Sequence, residues 1–272
     1  MKIYHYTNIE ALALILKNKT IRFSRLDKVD DVEEGDVESL GVKFCRYVFV
    51  SCWTETSEEN IPLWKMYGGD SGGVRITANH EMFKEYYVSN LKFGNQHSQG
   101  AIWSKIPHQD LINPDFFIMP IFDYNNDMFY RRVKYVDDVS QYTKNAIQVT
   151  NIKDNRGDWK MEMKPFGSYK NTRWKFQEET RFVLYALPIN PLIEGANPEL
   201  TTLLTQSLSA NKTLSFSYYD MHLKDETLED MEITLNPTAT DSQRIIVQAL
   251  VDKYAPNIKI NDSALGELVR LK

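Results

Sequence analysis

The chain has 272 residues, of which 42% are hydrophobic and 25% are charged, and its formal net charge is -5. The length suits one large domain or two small ones, and we predict a single domain over residues 1–272. The negative charge argues against a globally basic nucleic-acid binder. Since no apolar run reaches the about 20 residues of a membrane span, and the N-terminus lacks the apolar core of a signal peptide, we expect a cytoplasmic protein without a membrane partner.

The first part of the chain predicts a strand, a helix and a second strand. Residues 2–7 are predicted as a strand, with His5 on one face and Tyr6 on the other. Asn8 is predicted to cap a buried helix that follows. Residues 20–24 are predicted as the second strand.

An acidic segment follows, with seven carboxylates between Asp27 and Glu38. Clustered carboxylates suit a hard cation, but their spacing does not match the calcium-loop pattern. A solvated acidic loop is therefore the simpler interpretation. The alternative is a metal-dependent nuclease that uses Asp31, Glu34 and Glu179.

Residues 47–54 predict the strongest core strand, and its run of apolar residues ends in hydroxyl and indole groups. That ending suits a strand that opens into a site. Pro62 is predicted in the first turn of a helix carrying Trp64 and Tyr67. The glycines at 68–73 predict a flexible turn and do not form a phosphate-binding motif, because a strand follows them.

The middle of the chain gives weaker signals. A helix is predicted over 80–87, an insertion over 88–129, a strand over 131–136, a helix over 137–149 and a loop over 150–170. Basic side chains cluster near the end of this part, at Lys160, Lys164, Lys170, Arg173 and Lys175. They indicate either a solvated loop or a local patch that binds nucleic acid. Cys45 and Cys52 are the only cysteines, and we predict free thiols.

The stretch from 174 to 184, W-K-F-Q-E-E-T-R-F-V-L, predicts a strand around which the fold is organised. Alternation places Gln177, Glu179 and Arg181 on one face. A row of polar groups on an otherwise apolar strand indicates a functional site. The alternative is an edge strand whose Glu–Arg pair faces water.

The last part of the chain predicts a helix over 200–209, strands over 213–219, 232–235 and 258–260, and a helix from Asp241 to about residue 254. Strands outnumber helices and do not alternate regularly with them. The fold class is therefore α+β, with mixed, mostly antiparallel sheets and flanking helices.

Seven short motifs together resemble the bacterial family called domain of unknown function 2971. They are H-Y-T at 5–7, I-R-F-S at 21–24, D-D-V-E-E-G at 30–35, V-S-C-W-T at 50–54, L-W-K-M-Y-G at 63–68, W-K-F-Q-E-E-T-R at 174–181 and I-T-L-N-P at 233–237. The chain departs from the family in two places. Asp30-Asp31-Val32 stands where Asn-Asp-Pro is usual, and Gln177 stands where Glu is usual.

The order of a strand histidine, a Ser/Thr-ended strand and a Gln-x-Glu motif is also similar to ADP-ribosyltransferases. This resemblance implies an ADP-ribosyltransferase-like core and an NAD-consuming enzyme that modifies a protein or nucleic-acid acceptor, in a bacterial toxin or phage-defence role. It implies that Glu179 stabilises the oxocarbenium-like state formed when NAD loses nicotinamide. Gln177 would orient the acceptor, and His5 would bond a ribose of NAD.

The same resemblance implies an NAD-binding role for Tyr6 beside His5. Ser51 would bond the nicotinamide ribose and help to hold Glu179, while Trp64 or Tyr67 would stack on the nicotinamide. Each residue also has a structural interpretation, as a core histidine, a strand-ending serine or a core aromatic. The competing function is a non-catalytic module that binds a nucleotide or nucleic acid.

Overall fold

A computed structural model describes residues 1–68, 72–89, 92–93, 96–97, 101–119, 121, 127–153, 156–194 and 199–269. The strands, in chain order, are β1 Lys2–Asn8, β2 Thr20–Arg25, β3 Val48–Thr54, β4 Gly73–Asn79, β5 Tyr86–Ser89, β6 Lys92–Phe93, β7 Gln96–His97, β8 Ala101–Ser104, β9 Phe117–Ile118, β10 Tyr130–Arg132, β11 Lys134–Val136, β12 Ile147–Lys153, β13 Arg156–Met161, β14 Tyr169–Asn171, β15 Glu179–Leu187, β16 Tyr218–His222, β17 Glu232–Leu235 and β18 Lys259–Asn261.

The α-helices are α1 Ile9–Asn18, α2 Val32–Gly35, α3 Ile61–Gly68, α4 His108–Leu111, α5 Ser140–Thr143, α6 Pro191–Glu194, α7 Leu200–Ser209, α8 Asp225–Asp230 and α9 Asp241–Tyr254. Short 3-10 helices cover Leu26–Lys28, Phe44–Tyr47 and Thr172–Gln177. None of the described helices is long and apolar enough to cross a membrane. The α+β class is confirmed, with mostly antiparallel strand pairs.

The main sheet runs in the order β10-β15-β3-β1-β4-β17-β18, and β2 pairs with both β3 and β16. Strand β15 pairs with β3 from Glu179 opposite Thr54 to Tyr185 opposite Val48. One edge of β3 is therefore fully used by β15, and the other strands must share the second edge.

The sheet divides along that second edge of β3. Strand β1 reaches it at Thr54, opposite Tyr4. Strand β2 reaches it at Val50 and Phe49, opposite Ser24 and Arg25. Between these contacts, β1 and β2 diverge and leave an opening beside residues 51–53.

The helix after β1 begins as the sequence predicts. The side chain of Asn8 accepts a hydrogen bond from the Ala11 amide, and Leu12, Ile15 and Leu16 are buried. A cluster of aromatic side chains also packs against the sheet. At its centre the ring of Phe182 contacts five others, those of Phe23, Phe83, Phe129, Trp53 and Tyr130. This rigid packing fixes β15 against its neighbours.

The organising strand begins later than predicted. Residues 172–177 form a 3-10 helix that Asn171 caps by accepting from the Arg173 amide, and Glu178 has a left-handed backbone with φ of 43°. The strand starts at Glu179. Residue propensity favours a longer strand, but the Asn171 cap and the left-handed turn at Glu178 outweigh it and delay the start of the strand.

Two predicted helices are wrong. Within 80–87, Phe83 pairs across to Leu223 and β5 begins at Tyr86. Within 137–149, only α5 is helical, and β12 begins at Ile147. Phe83 pairs with a residue far along the chain, and β12 pairs with the next strand, β13. In both places the β pairing outweighs the local helical preference.

Other boundaries also differ from prediction. The predicted loop over 150–170 contains the end of β12, all of β13 and the start of β14, and the predicted strand over 131–136 is two strands broken at Val133. The strand predicted over 213–219 is β16, which begins at Tyr218, and Thr240 rather than Asp241 caps α9. The acidic segment contains a 3-10 turn and α2. Cys45 and Cys52 are free thiols, as predicted.

The predicted insertion over 88–129 lies partly outside the described residues. In its described part, Ile106, Leu111 and Ile118 are buried in the main core. That part is therefore built into the hydrophobic core. The single domain remains a prediction.

Candidate functional site

A cavity of about 240 Å³ lies in the opening between β1, β2 and β3. It is bordered by strands from distant parts of the chain, by α3 and by the 3-10 helix before β15. Six of the predicted site residues line it together: His5, Tyr6, Ser51, Tyr67, Gln177 and Glu179. The division of the sheet therefore assembles most of the predicted site.

The side chain of His5 bonds the edge of β3 where neither β1 nor β2 pairs with it. Its Nδ1 lies 2.7 Å from the carbonyl oxygen of Cys52. Because a carbonyl can only accept, Nδ1 must carry the proton. Burial lowers the pKa of His5, so the ring is neutral at pH 7 and its Nε2 is a hydrogen-bond acceptor.

Glu179 is buried and ionised. Its carboxylate accepts from Nε of Arg181 at 2.5 Å and from Nζ of Lys170 at 3.2 Å. Burial alone would raise the pKa of Glu179, but the charges of Arg181 and Lys170 outweigh burial and lower the pKa to about 2. The predicted Glu–Arg pair is therefore real, and it lies in the interior, where only 6% of Glu179 is exposed.

Arg181 also binds a second buried carboxylate, that of Glu34 from α2. Its Nη2 donates to one Glu34 oxygen at 2.8 Å, and its Nη1 donates to the other. Asp31 begins α2 by accepting from the amides of Glu33 and Glu34. This cap directs α2 so that Glu34 points inward. The predicted solvated acidic loop thus supplies an interior charge.

Gln177 and Lys170 connect Glu179 to the mouth of the cavity. Nζ of Lys170 donates to Oε1 of Gln177 at 2.7 Å, and Nε2 of Gln177 donates to the hydroxyl of Tyr67 at 3.1 Å. That hydroxyl donates in turn to Asp30 at 3.0 Å. Burial, and then the charge of Asp30, raises the pKa of Tyr67, so its hydroxyl stays protonated.

Two predicted roles are not met by the geometry. Ser51 lies opposite Phe182 and accepts from the Trp53 indole at 3.0 Å. It therefore lies on the other face of β3 from Glu179 and does not hold that carboxylate. Trp64 lies behind the cavity, with its ring edge-on to Tyr6 at 4.9 Å. It supports Tyr6 and is not among the residues that line the cavity.

Cys52 places a thiol beside Glu179. Burial, and then the charge of Glu179, raises the pKa of Cys52 well above its usual value. The thiol is therefore protonated at neutral pH and is a weak nucleophile.

The contacts of Lys170 and Glu34 with this site were not predicted, although Glu34 was named as a metal ligand of the nuclease alternative and Lys170 as part of the basic cluster. Lys170 was grouped with surface lysines, yet it is buried and its Nζ lies 4.7 Å from the centre of the Trp174 ring. Of the other basic residues in that predicted patch, Lys164 pairs with Asp127 and Arg173 pairs with Glu33. No pattern in the sequence marks Lys170 as the partner of Gln177, which lies seven residues later.

The cluster pairs two carboxyl groups, those of Glu34 and Glu179, with two basic groups, those of Arg181 and Lys170. Burial raises the pKa of Glu34, and the charge of Arg181 acts against that effect. Among the described residues, no group of three or more His, Cys, Asp or Glu is arranged to hold a metal ion. The nuclease hypothesis used Asp31, Glu34 and Glu179, but the last two carboxyl groups both bind the guanidinium of Arg181.

Comparisons with known proteins identify a family for part of the chain. Residues 63–182 match the model of the family described as "Protein of unknown function (DUF2971)". This match confirms the predicted resemblance over residues 63–182, a range that includes two of the seven motifs. No curated protein and no solved structure matches the chain. The similarity to ADP-ribosyltransferases therefore stays a prediction.

Proposed function

We propose that this chain, whose residues 63–182 carry the domain of unknown function 2971, binds NAD in the divided sheet and breaks its nicotinamide–ribose bond. One observation carries the proposal. His5, Gln177 and Glu179 come from separate elements and line the same cavity. The proposed core is ADP-ribosyltransferase-like, and the acceptor is a protein or a nucleic acid.

The proposed reaction gives Glu179 an electrostatic role. The bond between ribose C1′ and the nicotinamide nitrogen breaks, and its electron pair leaves with nicotinamide. The ribose then carries positive charge, which an adjacent carboxylate stabilises. An acceptor nucleophile bonds C1′ and releases its proton to solvent. The pKa of about 2 keeps Glu179 ionised at physiological pH, as this role requires.

The remaining residues are proposed to position NAD. The unprotonated Nε2 of His5 can accept from a ribose hydroxyl, and the Tyr67 ring lines the cavity where the nicotinamide would lie. Gln177 is held between Lys170 and Tyr67, so its amide is fixed for orienting an acceptor. The cavity of about 240 Å³ is below the about 300–1,000 Å³ usual for small-molecule pockets, so it would enclose only one end of a dinucleotide.

The test is release of free nicotinamide from NAD by the purified protein. We expect Glu179→Gln to lower the rate by at least about 100-fold, the effect typical of losing one preorganised electrostatic group. Glu179→Asp keeps the negative charge but moves the carboxylate by one methylene group. Comparing the two variants therefore separates the effect of the charge from the effect of its position. The matched control is Glu232→Gln, because Glu232 pairs with Lys2 at the protein surface. Circular dichroism verifies that each variant is folded, and full activity in Glu179→Gln would remove Glu179 from the mechanism.

A specific observation favours a second candidate, a non-catalytic nucleotide- or nucleic-acid-binding module. The charge of Glu179 is offset by Arg181 and Lys170 within hydrogen-bond distance. This pairing reduces the field that a developing cation would feel. Salt-dependent binding of a nucleotide or nucleic acid, with no nicotinamide released even when cell extract supplies acceptors, would support this candidate.

A further inference from the structure

A second cavity of about 210 Å³ adjoins the first. It lies between α1 and β2, and four residues line both cavities: His5, Thr7, Arg22 and Ser24. The two cavities therefore meet along the strands that diverge from β3. A ligand that has two parts joined by a short linker would fit this arrangement.

The walls of the second cavity suit a base and a sugar. Leu14, Ile15 and Ile21 supply apolar surface, while Asn18 and Asp220 supply polar groups. An apolar wall can cover the face of a heterocycle, and a carboxylate or an amide can bond hydroxyl and amino groups. Leu14 is 48% exposed, which places it at the rim.

Arg22 lies where the cavities meet and is held in a fixed orientation. Its Nε and Nη2 donate to the two carboxylate oxygens of Asp220 at 2.9 and 3.0 Å, and its guanidinium lies 3.7 Å from the centre of the Tyr218 ring. None of the hydrogen bonds among the described residues uses Nη1. A fixed guanidinium with an unused donor is suited to a phosphate oxygen.

We infer that the second cavity binds the nucleoside 5′-monophosphate half of a dinucleotide, with Arg22 contacting the phosphate at the junction. The inference rests on the proposed function, because NAD is the dinucleotide in question. The first cavity then holds the nicotinamide riboside end beside Glu179. Neither cavity needs to be large enough for the whole ligand.

The first experiment fills the second cavity. Leu14→Trp places a larger side chain at its rim, and calorimetry compares binding of AMP with binding of nicotinamide mononucleotide. We expect the variant to bind AMP at least about tenfold more weakly, while its affinity for nicotinamide mononucleotide is unchanged. The matched control is Ile245→Trp on α9, where an exposed aliphatic residue lies outside both cavities.

The second experiment isolates the phosphate contact. Wild-type protein should bind AMP more tightly than adenosine. Arg22→Gln should reduce the ratio of these two affinities about tenfold and leave the affinity for adenosine unchanged. Arg244→Gln is the control, since Arg244 is also an ion-paired arginine with a similarly exposed side chain. Loss of adenosine binding in Arg22→Gln would contradict a contact confined to the phosphate.

The outcomes separate this inference from the proposed function. Failure of wild-type protein to bind AMP, or unchanged AMP binding in Leu14→Trp, overturns the second cavity as a nucleotide site even if nicotinamide is released. Release of no nicotinamide overturns the NAD chemistry alone. If AMP binding still shows the expected dependence on Leu14 and Arg22, the second cavity stands as a mononucleotide site.

Discussion

The guanidinium of Arg181 binds both carboxylate oxygens of Glu34, a residue 147 positions earlier in the chain. Both side chains are at most 1% exposed. Arg181 thus joins α2 to the strand that carries Glu179. The position of the candidate catalytic carboxylate depends on a residue outside the cavity, since Glu34 does not line it.

Replacing Glu34 should destabilise the fold. In Glu34→Gln, the buried guanidinium loses a charged partner, so we expect the free energy of unfolding to fall by about 3 kcal/mol. The neighbouring Glu33→Gln removes an exposed pair with Arg173 and should cost less than about 1 kcal/mol. Urea denaturation measures both. An equal loss of unfolding free energy in the two variants would show that the buried ion pair of Glu34 stabilises the fold no more than the exposed pair of Glu33.

Removing Lys170 should change the acidity of Glu179. Its ammonium is one of the two charges that lower the pKa of Glu179, so Lys170→Met should raise that pKa. Carbon-13 shifts of the glutamate carboxyl groups, followed during a pH titration, report it directly. Lys175→Met is the control because Lys175 is exposed on the adjacent 3-10 helix. A Glu179 pKa that stays near 2 in Lys170→Met would assign the lowering to Arg181 alone.

Glu179 should make stability depend on pH in acid. Its pKa falls from 4.5 to about 2 on folding, so its contribution is fully present above pH 4.5 and is lost as the pH falls toward 2. The shift corresponds to about 3 kcal/mol. We expect the difference in unfolding free energy between wild type and Glu179→Gln to shrink across this range. Burial raises the pKa of Glu34, which acts in the opposite direction, and the comparison largely cancels that effect because both proteins contain Glu34. A constant difference would contradict the lowered pKa.

The close approach of α3 and β4 should not tolerate a methyl group. A Cβ added at Gly73 would lie 2.6 Å from the Cα atom of Gly68. Gly73→Ala should therefore cost about 1–3 kcal/mol through overpacking. Gly266→Ala is the control, because its Cβ meets neighbours only at ordinary contact distances. Thermal unfolding compares the two variants. Equal unfolding midpoint temperatures would show that the backbone at Gly68 and Gly73 can move apart to admit a methyl group.

The strands of the main sheet were predictable where alternation and β-branched residues were strong, as in β1, β3 and β17. The sequence also placed Glu179 and Arg181 on one face of a strand, because alternation is local information. It did not show that Glu34 and Lys170 join them. Those contacts depend on tertiary turns, and the α2 cap and the left-handed Glu178 have no distinct periodic signal.

The predicted helices over 80–87 and 137–149 failed for a related reason. Short segments with mixed polar and aromatic residues fit either a helix or a strand, and the pairing partner decides. For Phe83 the partner is Leu223, far along the chain. Sequence analysis of one segment contains no information about such a partner.

The ion pair between Arg181 and Glu34 also has a consequence while the ribosome is making the chain. Glu34 leaves the ribosome long before Arg181, and until then its carboxylate has no guanidinium to accompany it into the interior. A chain that ends before residue 181 would have to bury the Glu34 carboxyl group without its ion-pair partner, which is unfavourable whether that group stays ionised or takes up a proton. Truncated copies should therefore remain unfolded and open to proteolysis, so that a translating cell would not accumulate partly built versions of this pocket.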